Sequence, residues 1–314
     1  NVVLDNNDAL NSAQPLVTRH HLQSLKKQRE PQSLPNKIRI LLVEDNRINQ
    51  AVIIGILSNI ELHADIAGNG LEAIDLLKNC PSDKPYQIII MDCQMPELDG
   101  YETSQLIRAG NVGEHYQSIP IIAMTANAMK GDKEKCLSAG MSDYATKPVD
   151  ASILQEKLCK WIGVRGKLPL LSQNSQRNSR EDVVAEVTEG DVNNYVKVNQ
   201  TDSSVVWQEK DFLYRIRNNM NLAKKLIDLF IEESPLLKTQ LTVAIEQGNE
   251  EEMVGFAHKL KGSVKNLGGD KLANTIESIE YSCKNSELDK IGIYKLELIN
   301  EFDEFVKEIQ SFKY

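Results

Sequence analysis

Charged and hydroxyl side chains follow four separate apolar runs of this sequence. Glu44 and Asp45 follow the first run, and Asp92 follows the second. Thr125 follows the third run, and Lys147 lies just beyond the fourth. Carboxylates at such positions could bind a hard divalent cation, and one of them could act as a nucleophile toward phosphorus. The cation that best suits carboxylate ligands together with phosphoryl oxygens is Mg²⁺.

The acidic residues predict a metal site. Three carboxylates brought close together repel one another unless a cation lies between them. We predict that Asp45 and Asp92 bind Mg²⁺ directly, together with the backbone carbonyl of Gln94. Glu44 would bind the ion directly or through a water molecule.

The same residues predict a phosphoryl acceptor. The carboxylate of Asp92 would attack phosphorus while the metal neutralises the developing charge. Lys147 and the hydroxyl of Thr125 would hold the remaining phosphoryl oxygens. Taken singly, each residue has an ordinary structural explanation, such as a helix cap for an acidic pair. Their presence at four strand ends answers no packing requirement, so we interpret the set as one phosphate site.

A second candidate nucleophile, His258, lies in a predicted helix. Gly255 is three residues before it and Gly262 four residues after it, so both glycines share its face. Each internal glycine costs a helix about 1 kcal/mol relative to alanine, which favours a functional reason: an open surface around the ring. Lys261, one turn along, could pair with a phosphoryl group. The alternative interpretation is an exposed histidine without a chemical role.

Alternating apolar runs and helical stretches in the first half of the chain predict an α/β fold. Continuous apolar runs are typical of parallel strands that are buried on both faces, so we predict an open, doubly wound, five-stranded parallel sheet. Ligands bind such sheets at the carboxyl ends of the strands, where the residues above are located. The predicted strands are residues 38–43, 62–67, 88–91, 121–124 and 143–145. The predicted helices are residues 46–58, 70–79, 99–109, 127–139 and 150–162.

Beyond Trp207 the pattern is helical throughout. Apolar residues recur there at helical spacings of three and four. Short loops between long amphipathic helices predict an antiparallel four-helix bundle, preceded by a small helix at residues 209–217. We interpret residues 1–36 as a connector, and residues 164–205, which lack an apolar period, as a flexible linker.

Composition excludes several classes of protein. A chain of 314 residues fits two domains, and a net charge of -9 argues against a nucleic-acid surface. Apolar runs stay well below the ~18 residues of a membrane span, so we predict no direct membrane contact. The five cysteines have no CxxC spacing and predict the reduced thiols of a cytoplasmic protein.

Residues 37–163 resemble a response regulator receiver domain. The resemblance rests on the motifs Glu44-Asp45, Met91-Asp-Cys-Gln-Met-Pro96, Thr125-Ala126 and Lys147-Pro148. It implies that Asp92 is phosphorylated and that the Lys147–Pro148 peptide bond is cis. Glu44 stands where many members of the family have aspartate, which keeps the charge at the metal site and changes its geometry.

Residues 206–314 resemble a histidine phosphotransfer (HPt) domain through the sequence His258-Lys-Leu-Lys-Gly-Ser263. This resemblance implies that phosphate is carried on His258 and that the bundle has no catalysis of its own. The chain lacks the asparagine-rich and glycine-rich boxes of a kinase ATP-binding domain, and it lacks GxxxxGK[ST]. Residues 15–22 resemble the segment between the ATP-binding and receiver domains of hybrid sensor kinases. We therefore interpret the chain as the C-terminal part of such a kinase, either cytoplasmic or the cytoplasmic part of an inner-membrane protein.

The predicted function is a phosphorelay. Asp92 accepts a phosphoryl group from the phosphohistidine of an upstream kinase domain, in the same polypeptide or in trans, and passes it to His258 for a downstream response regulator. One alternative, a hydrolase with a nucleophilic aspartate resembling the haloacid dehalogenases, needs a second acid where this chain has Gln94. In the other alternative, the receiver and the bundle are regulatory docking modules without transfer between Asp92 and His258.

Overall fold

The computed structural model describes residues 38–126, 130–162, 205–285 and 287–313, which belong to one compact unit. The predicted connector and almost all of the predicted linker lie outside the described residues.

Five parallel strands form one sheet in the order β2-β1-β3-β4-β5, which confirms the predicted fold class. The strands are β1 (Arg39–Val43), β2 (His63–Ala67), β3 (Ile88–Asp92), β4 (Ile121–Thr125) and β5 (Asp143–Thr146). Strands β3 and β4 are buried at every position because each has a neighbour on both sides. Strand β2 lies at the edge of the sheet, and most of its residues are exposed or half-buried, unlike a fully buried central strand.

The helices that alternate with these strands confirm the predicted βα alternation. They are α1 (Arg47–Ser58), α2 (Gly70–Lys78), α3 (Gly100–Arg108), α4 (Lys130–Ser138) and α5 (Ala151–Ile162). Helix α4 was predicted to begin at residue 127, but residues 127–129 lie outside the described part of the chain. Asn46 begins α1 with a side-chain cap: its amide oxygen accepts hydrogen bonds from the backbone N–H groups of Ile48 and Asn49.

Strand register brings the predicted site residues to one edge of the sheet. Val43 pairs with Met91, so the residues that follow them, Glu44 and Asp92, are neighbours across β1 and β3. In the same way Thr125 pairs with Thr146, and Lys147 comes next. The strand order reverses between β1 and β3, which is where parallel sheets of this kind open a cleft.

The C-terminal part of the chain is an all-α bundle, as predicted. A short helix precedes four long ones: α6 (Glu209–Arg215), α7 (Met220–Gln247), α8 (Glu250–Asn266), α9 (Asp270–Lys284) and α10 (Ile291–Gln310). Helix α7 ends at Gly248, whose φ of 67° places it in the left-handed region that glycine adopts at low cost. Among the described residues, no helix has both the length and the apolar composition needed to cross a membrane.

Helix α1 of the sheet domain packs against α7 and α8 of the bundle. The buried apolar cluster of the bundle therefore continues into the sheet domain without interruption; Ile56 of α1 and Leu222 of α7 both belong to it. Gly55 allows this close approach, because a Cβ atom at that position would lie 2.5 Å from Cδ2 of Leu222. The first helix of the sheet domain is thus the element that positions the bundle over the sheet edge.

Candidate functional site

The three predicted metal-binding carboxylates meet at the carboxyl ends of β1 and β3. Oxygen atoms of Glu44, Asp45 and Asp92 lie within 4.8 Å of one another. Glu44 is fully buried and Asp92 nearly so. Hard oxygen donors gathered at this spacing fit the ligand preference of Mg²⁺, so the structure brings together the three carboxylates of the predicted donor set.

Lys147 is the fixed counter-charge of this cluster. Its ammonium donates hydrogen bonds to Oε2 of Glu44, at 2.8 Å, and to Oδ2 of Asp92, at 2.6 Å. The peptide bond that follows Lys147 is cis, as the family resemblance implies. Burial opposes the charge on Lys147, but the attraction of Asp92 and Glu44 is stronger and raises the pKa of its ammonium above the usual range.

A single lysine does not offset the burial of these acids. Burial, aided by repulsion from Asp92 and opposed by Lys147, raises the pKa of Glu44 to about 7. Burial likewise raises the pKa of Asp92, against the attraction of Lys147. A divalent cation would reverse both shifts because it stabilises the ionised carboxylates.

Gln94 and Thr125 border the carboxylates. The backbone N–H of Gln94 donates to Oδ1 of Asp92 at 3.2 Å. Thr125 is buried at the end of β4 and lines the same cavity as Gln94. Metal binding by the Gln94 carbonyl and phosphoryl binding by the Thr125 hydroxyl stay predictions.

His258 lies on α8, with its side chain about one fifth exposed. Its Nδ1 is 3.6 Å from Oε1 of Glu280, on α9. The two glycines on its face have different surroundings. A Cβ atom added at Gly255 would meet no atom of another described element within 4 Å, which leaves that side of the ring open. A Cβ atom added at Gly262 would lie 3.4 Å from the Asn49 side chain, so this glycine faces the sheet domain.

Lys261, the predicted phosphoryl-binding group of the bundle, lines a cavity together with Asp92 and His258 and is paired with an acidic residue of α9; phosphoryl binding by Lys261 stays a prediction. Its ammonium is buried against Oε2 of Glu280 and lies 3.5 Å from Glu277. Burial opposes ionisation of Glu280, but the contacts with His258, Lys261 and Lys284 outweigh it, and the pKa of Glu280 lies well below the usual range. Lys261 and Glu280 therefore form a buried ion pair directly beneath the histidine.

One small cavity between the two domains is lined by both Asp92 and His258, together with Asp45, Lys147 and Lys259. The acceptor aspartate and the acceptor histidine, 166 positions apart in the sequence, thus face a common space. The volume of that space is about 20 Å³, and Asp45, His258 and Lys259 also line a second cavity of about 390 Å³.

Amide side chains of α1 and of its cap hold α8 in this position. Nδ2 of Asn46 donates to the backbone oxygen of Lys259 at 3.0 Å and to Oγ of Ser263 at 2.8 Å. Asn49 donates to Oε1 of Glu44 at 2.7 Å and accepts from Nδ2 of Asn266 at 2.6 Å. All four bonds involve buried or half-buried side chains, where a hydrogen bond has little competition from water.

Sequence reasoning missed the residues that join the two domains, and it missed the acid that pairs with the histidine. Asn46 and Asn49 have the pattern of ordinary residues at the start of α1, and Lys259 that of an ordinary neighbour of His258. Glu280 lies on another helix, 22 positions beyond His258. Lys259 stands within the motif around His258, but nothing in the motif indicates its partner. The partners of all four residues come from elements that are distant in sequence.

Comparison with known proteins identifies both domains. Residues 40–159 match the family of response regulator receiver domains, and residues 225–309 match the family of Hpt domains. The chain therefore consists, over these ranges, of a receiver domain followed by an HPt domain, the two domain types of a phosphorelay.

Hybrid kinases are among the relatives of this chain. The chain is 29% identical over 270 residues to the signal transduction histidine-protein kinase BarA of Escherichia coli strain K12, a match that covers 86% of this chain and 26% of that protein. It is 39% identical over 150 residues to hybrid signal transduction histidine kinase I of Dictyostelium discoideum, covering 46% of this chain and 8% of that protein. The chain thus spans about a quarter or less of the length of these relatives.

Among solved structures, the receiver domain of sensor histidine kinase PA1611 from Pseudomonas aeruginosa PAO1 is 42% identical, with a TM-score of 0.37. The match covers 41% of this chain and 99% of that domain, which holds a magnesium ion in its active-site cleft.

Proposed function

We propose that this chain carries out two successive steps of a phosphorelay, with Asp92 as the first acceptor and His258 as the second. The observation that carries the proposal is the cavity that both side chains line. Upstream, the donor is the phosphohistidine of a kinase domain in the same polypeptide or in another. Downstream, the acceptor is the aspartate of a separate response regulator.

The first step forms an acyl phosphate on Asp92. A carboxylate oxygen of Asp92 attacks phosphorus as the P–N bond of the incoming phosphohistidine breaks. Lys147, which already donates to Oδ2 of Asp92 and to Glu44, follows the negative charge onto the phosphoryl oxygens. Mg²⁺ bound by Glu44, Asp45, Asp92 and the Gln94 carbonyl would neutralise the charge that develops on the phosphoryl oxygens.

The second step moves the phosphoryl group to His258. Because Nδ1 of His258 points to Glu280, Nε2 is the nitrogen on the cavity side that attacks phosphorus. The P–O bond to Asp92 breaks, its carboxylate is regenerated, and a P–N bond forms. The positive charge on the phosphorylated ring is stabilised by the ionised Glu280, whose pKa is lowered by its cationic neighbours against the effect of burial.

Onward transfer requires the two domains to separate. The receiver covers α8 through Asn46 and Asn49, so a downstream receiver reaches His258 only after α1 has left it. We propose that the whole protein is a hybrid histidine kinase and that this part of it works in the cytoplasm. The five cysteines, all in described residues, form no disulfide, which fits a reducing compartment.

Acetyl phosphate labelling tests the transfer. We expect the chain incubated with acetyl phosphate and Mg²⁺ to acquire an acid-labile, alkali-stable label, seen as a shifted band on Phos-tag gels. Asp92→Asn should abolish all label, because nothing accepts the phosphoryl group. His258→Gln should retain an alkali-labile label on Asp92 only. Asp83→Asn and His115→Gln, at exposed positions away from the site, should label as the unchanged chain does.

A label that stays on Asp92 in the unchanged chain would contradict the second step and favour receiver and bundle as docking modules. Alkali-stable label in the Asp92→Asn chain would contradict the order of the two steps.

A further inference from the structure

Lys259, the residue after His258, inserts its ammonium into the acidic cluster of the receiver. Its Nζ lies 2.9 Å from Oδ2 of Asp45. The side chain of Asp45 is only 7% exposed and that of Lys259 34% exposed, so most of this ion pair is removed from water. The bundle therefore supplies a second cation to a cluster that already contains Lys147.

The position of Lys259 is set at both its side chain and its backbone. Asp45 binds the ammonium, and the adjacent Asn46 donates a hydrogen bond to the backbone oxygen of Lys259. The hydroxyl of Ser263, itself an acceptor from Asn46, donates to the same backbone oxygen at 3.1 Å. A surface lysine that paired by chance would lack these backbone contacts, so the contact belongs to the docked arrangement of the domains.

The carboxylate that Lys259 occupies belongs to the donor set for a divalent cation. Asp45 is one of the three acids whose oxygens lie within 4.8 Å of one another. The ammonium of Lys259 already occupies Oδ2 of Asp45. An ion that used the other oxygen of Asp45 would lie close to that ammonium, and two cations repel each other at close range.

We propose that Lys259 competes with the divalent cation for Asp45, and thereby couples docking of the bundle to metal loading of the receiver. The inference rests on the proposed metal site and adds its regulation. The docked bundle lowers the affinity of the receiver for Mg²⁺, and by thermodynamic reciprocity bound Mg²⁺ weakens docking by the same factor. Metal loading then moves Lys259 out of the cluster and leaves Asp92 accessible to an upstream donor.

Isothermal titration of the full chain with Mg²⁺ tests this coupling without any phosphotransfer. We expect Lys259→Met to bind Mg²⁺ about fivefold or more tightly than the unchanged chain, the lower range of a coupling between two sites. Lys259→Arg keeps the positive charge and should retain the lower affinity. Lys271→Met is the matched control: its exposed fraction is similar, but its ammonium pairs with Glu301 and Glu304 in the bundle, so its affinity should equal that of the unchanged chain.

Hydrogen exchange supplies the reciprocal measurement. Mg²⁺ should speed exchange of the amides at the contact between α1 and α8 in the unchanged chain, and this acceleration should be smaller in Lys259→Met. Equal Mg²⁺ affinities of the unchanged protein and Lys259→Met, or weaker binding by Lys259→Met, would overturn the competition while leaving the metal site intact. Failure of both proteins to bind Mg²⁺ would contradict the proposed metal site and the competition together.

Discussion

Replacement of Gly55 by glutamine is expected to slow transfer from Asp92 to His258 by about tenfold, the equivalent of 1.4 kcal/mol within the roughly 1–3 kcal/mol that overpacking costs. A side chain at this position of α1 enters the space of the two δ-methyl groups of Leu222, which is buried in the bundle. Separation of the two domains relieves this clash, so the substitution reduces the docked fraction of the protein. Because α1 holds the histidine over the acidic cluster, a smaller docked fraction means slower transfer.

Phosphorylation of Asp92, the first acceptor, should be unaffected by the Gly55→Gln substitution. Gly55 lies on a surface of α1 that faces the bundle, and replacing a helical glycine favours the helix itself. We expect the acetyl phosphate label on Asp92 to form at its usual rate in Gly55→Gln, while the alkali-stable label on His258 forms slowly. Time courses on Phos-tag gels, with samples split for alkali treatment, measure the two rates separately.

Two further variants test whether the slower transfer to His258 comes from weaker docking. Ser58→Gln adds the same side chain to an exposed position of α1 and should transfer normally. Leu222→Ala in the Gly55→Gln background removes the obstructing methyl groups and should restore most of the rate. Unchanged transfer in Gly55→Gln would mean that the docked arrangement is not the one that transfers the phosphoryl group.

Replacement of Glu280 by leucine is expected to destabilise the bundle by about 3 kcal/mol, the cost of leaving one charge of a buried ion pair without its partner. The ammonium of Lys261 would then be buried with only the half-exposed Glu277 nearby, at 3.5 Å. Replacing both members, as in Lys261→Met/Glu280→Leu, should restore most of the lost stability because no unpaired charge remains. The double variant thus separates a charge effect from a packing effect.

The fluorescence of Trp207 provides a measure of the stability of the bundle. Its indole N–H donates to the backbone oxygen of Leu267 at 2.7 Å, so its fluorescence reports unfolding of the bundle. A Trp161→Phe background removes the signal of the receiver, and urea titration at neutral pH gives the free energy of unfolding. The control Glu246→Leu breaks an exposed ion pair with Lys295 and should cost less than about 1 kcal/mol. An equally small loss of stability in Glu280→Leu would contradict a stabilising role of the buried ion pair between Lys261 and Glu280.

The free energy of unfolding that Glu280→Leu loses relative to the unchanged bundle should depend on pH in a defined direction. Burial raises the pKa of Glu280 in the folded state, but its contacts with His258, Lys261 and Lys284 are stronger and lower that pKa. A carboxylate with a lowered folded pKa stabilises the protein fully above its unfolded pKa, about 4.3, and loses that contribution as pH falls toward the folded value. We expect a constant difference in stability from about pH 5 up to neutrality, and a shrinking one in more acidic solution.

The local sequence pattern determined the strands, the helices and the acidic cluster. Strand β3 and the Asp92 that ends it follow from a continuous apolar run closed by a carboxylate, and such runs have few alternatives to a central parallel strand. Once the order of a doubly wound sheet is assumed, its register carries Glu44, Thr125 and Lys147 to the same edge. The helical spacing of apolar residues around His258 likewise predicts α8 and the bundle.

Tertiary structure alone decided what surrounds these residues. Lys261, which the motif suggests for phosphoryl binding, is turned to Glu280 on α9. Asn46 and Ser263 are 217 positions apart, yet they hydrogen-bond across the two domains. Periodicity describes which face of one helix or strand is apolar, whereas a hydrogen bond between distant elements depends on how those elements pack. The sequence by itself therefore determined the two nucleophiles and the elements that carry them, and only packing decided that they share a cavity and that Lys259 enters the acidic cluster.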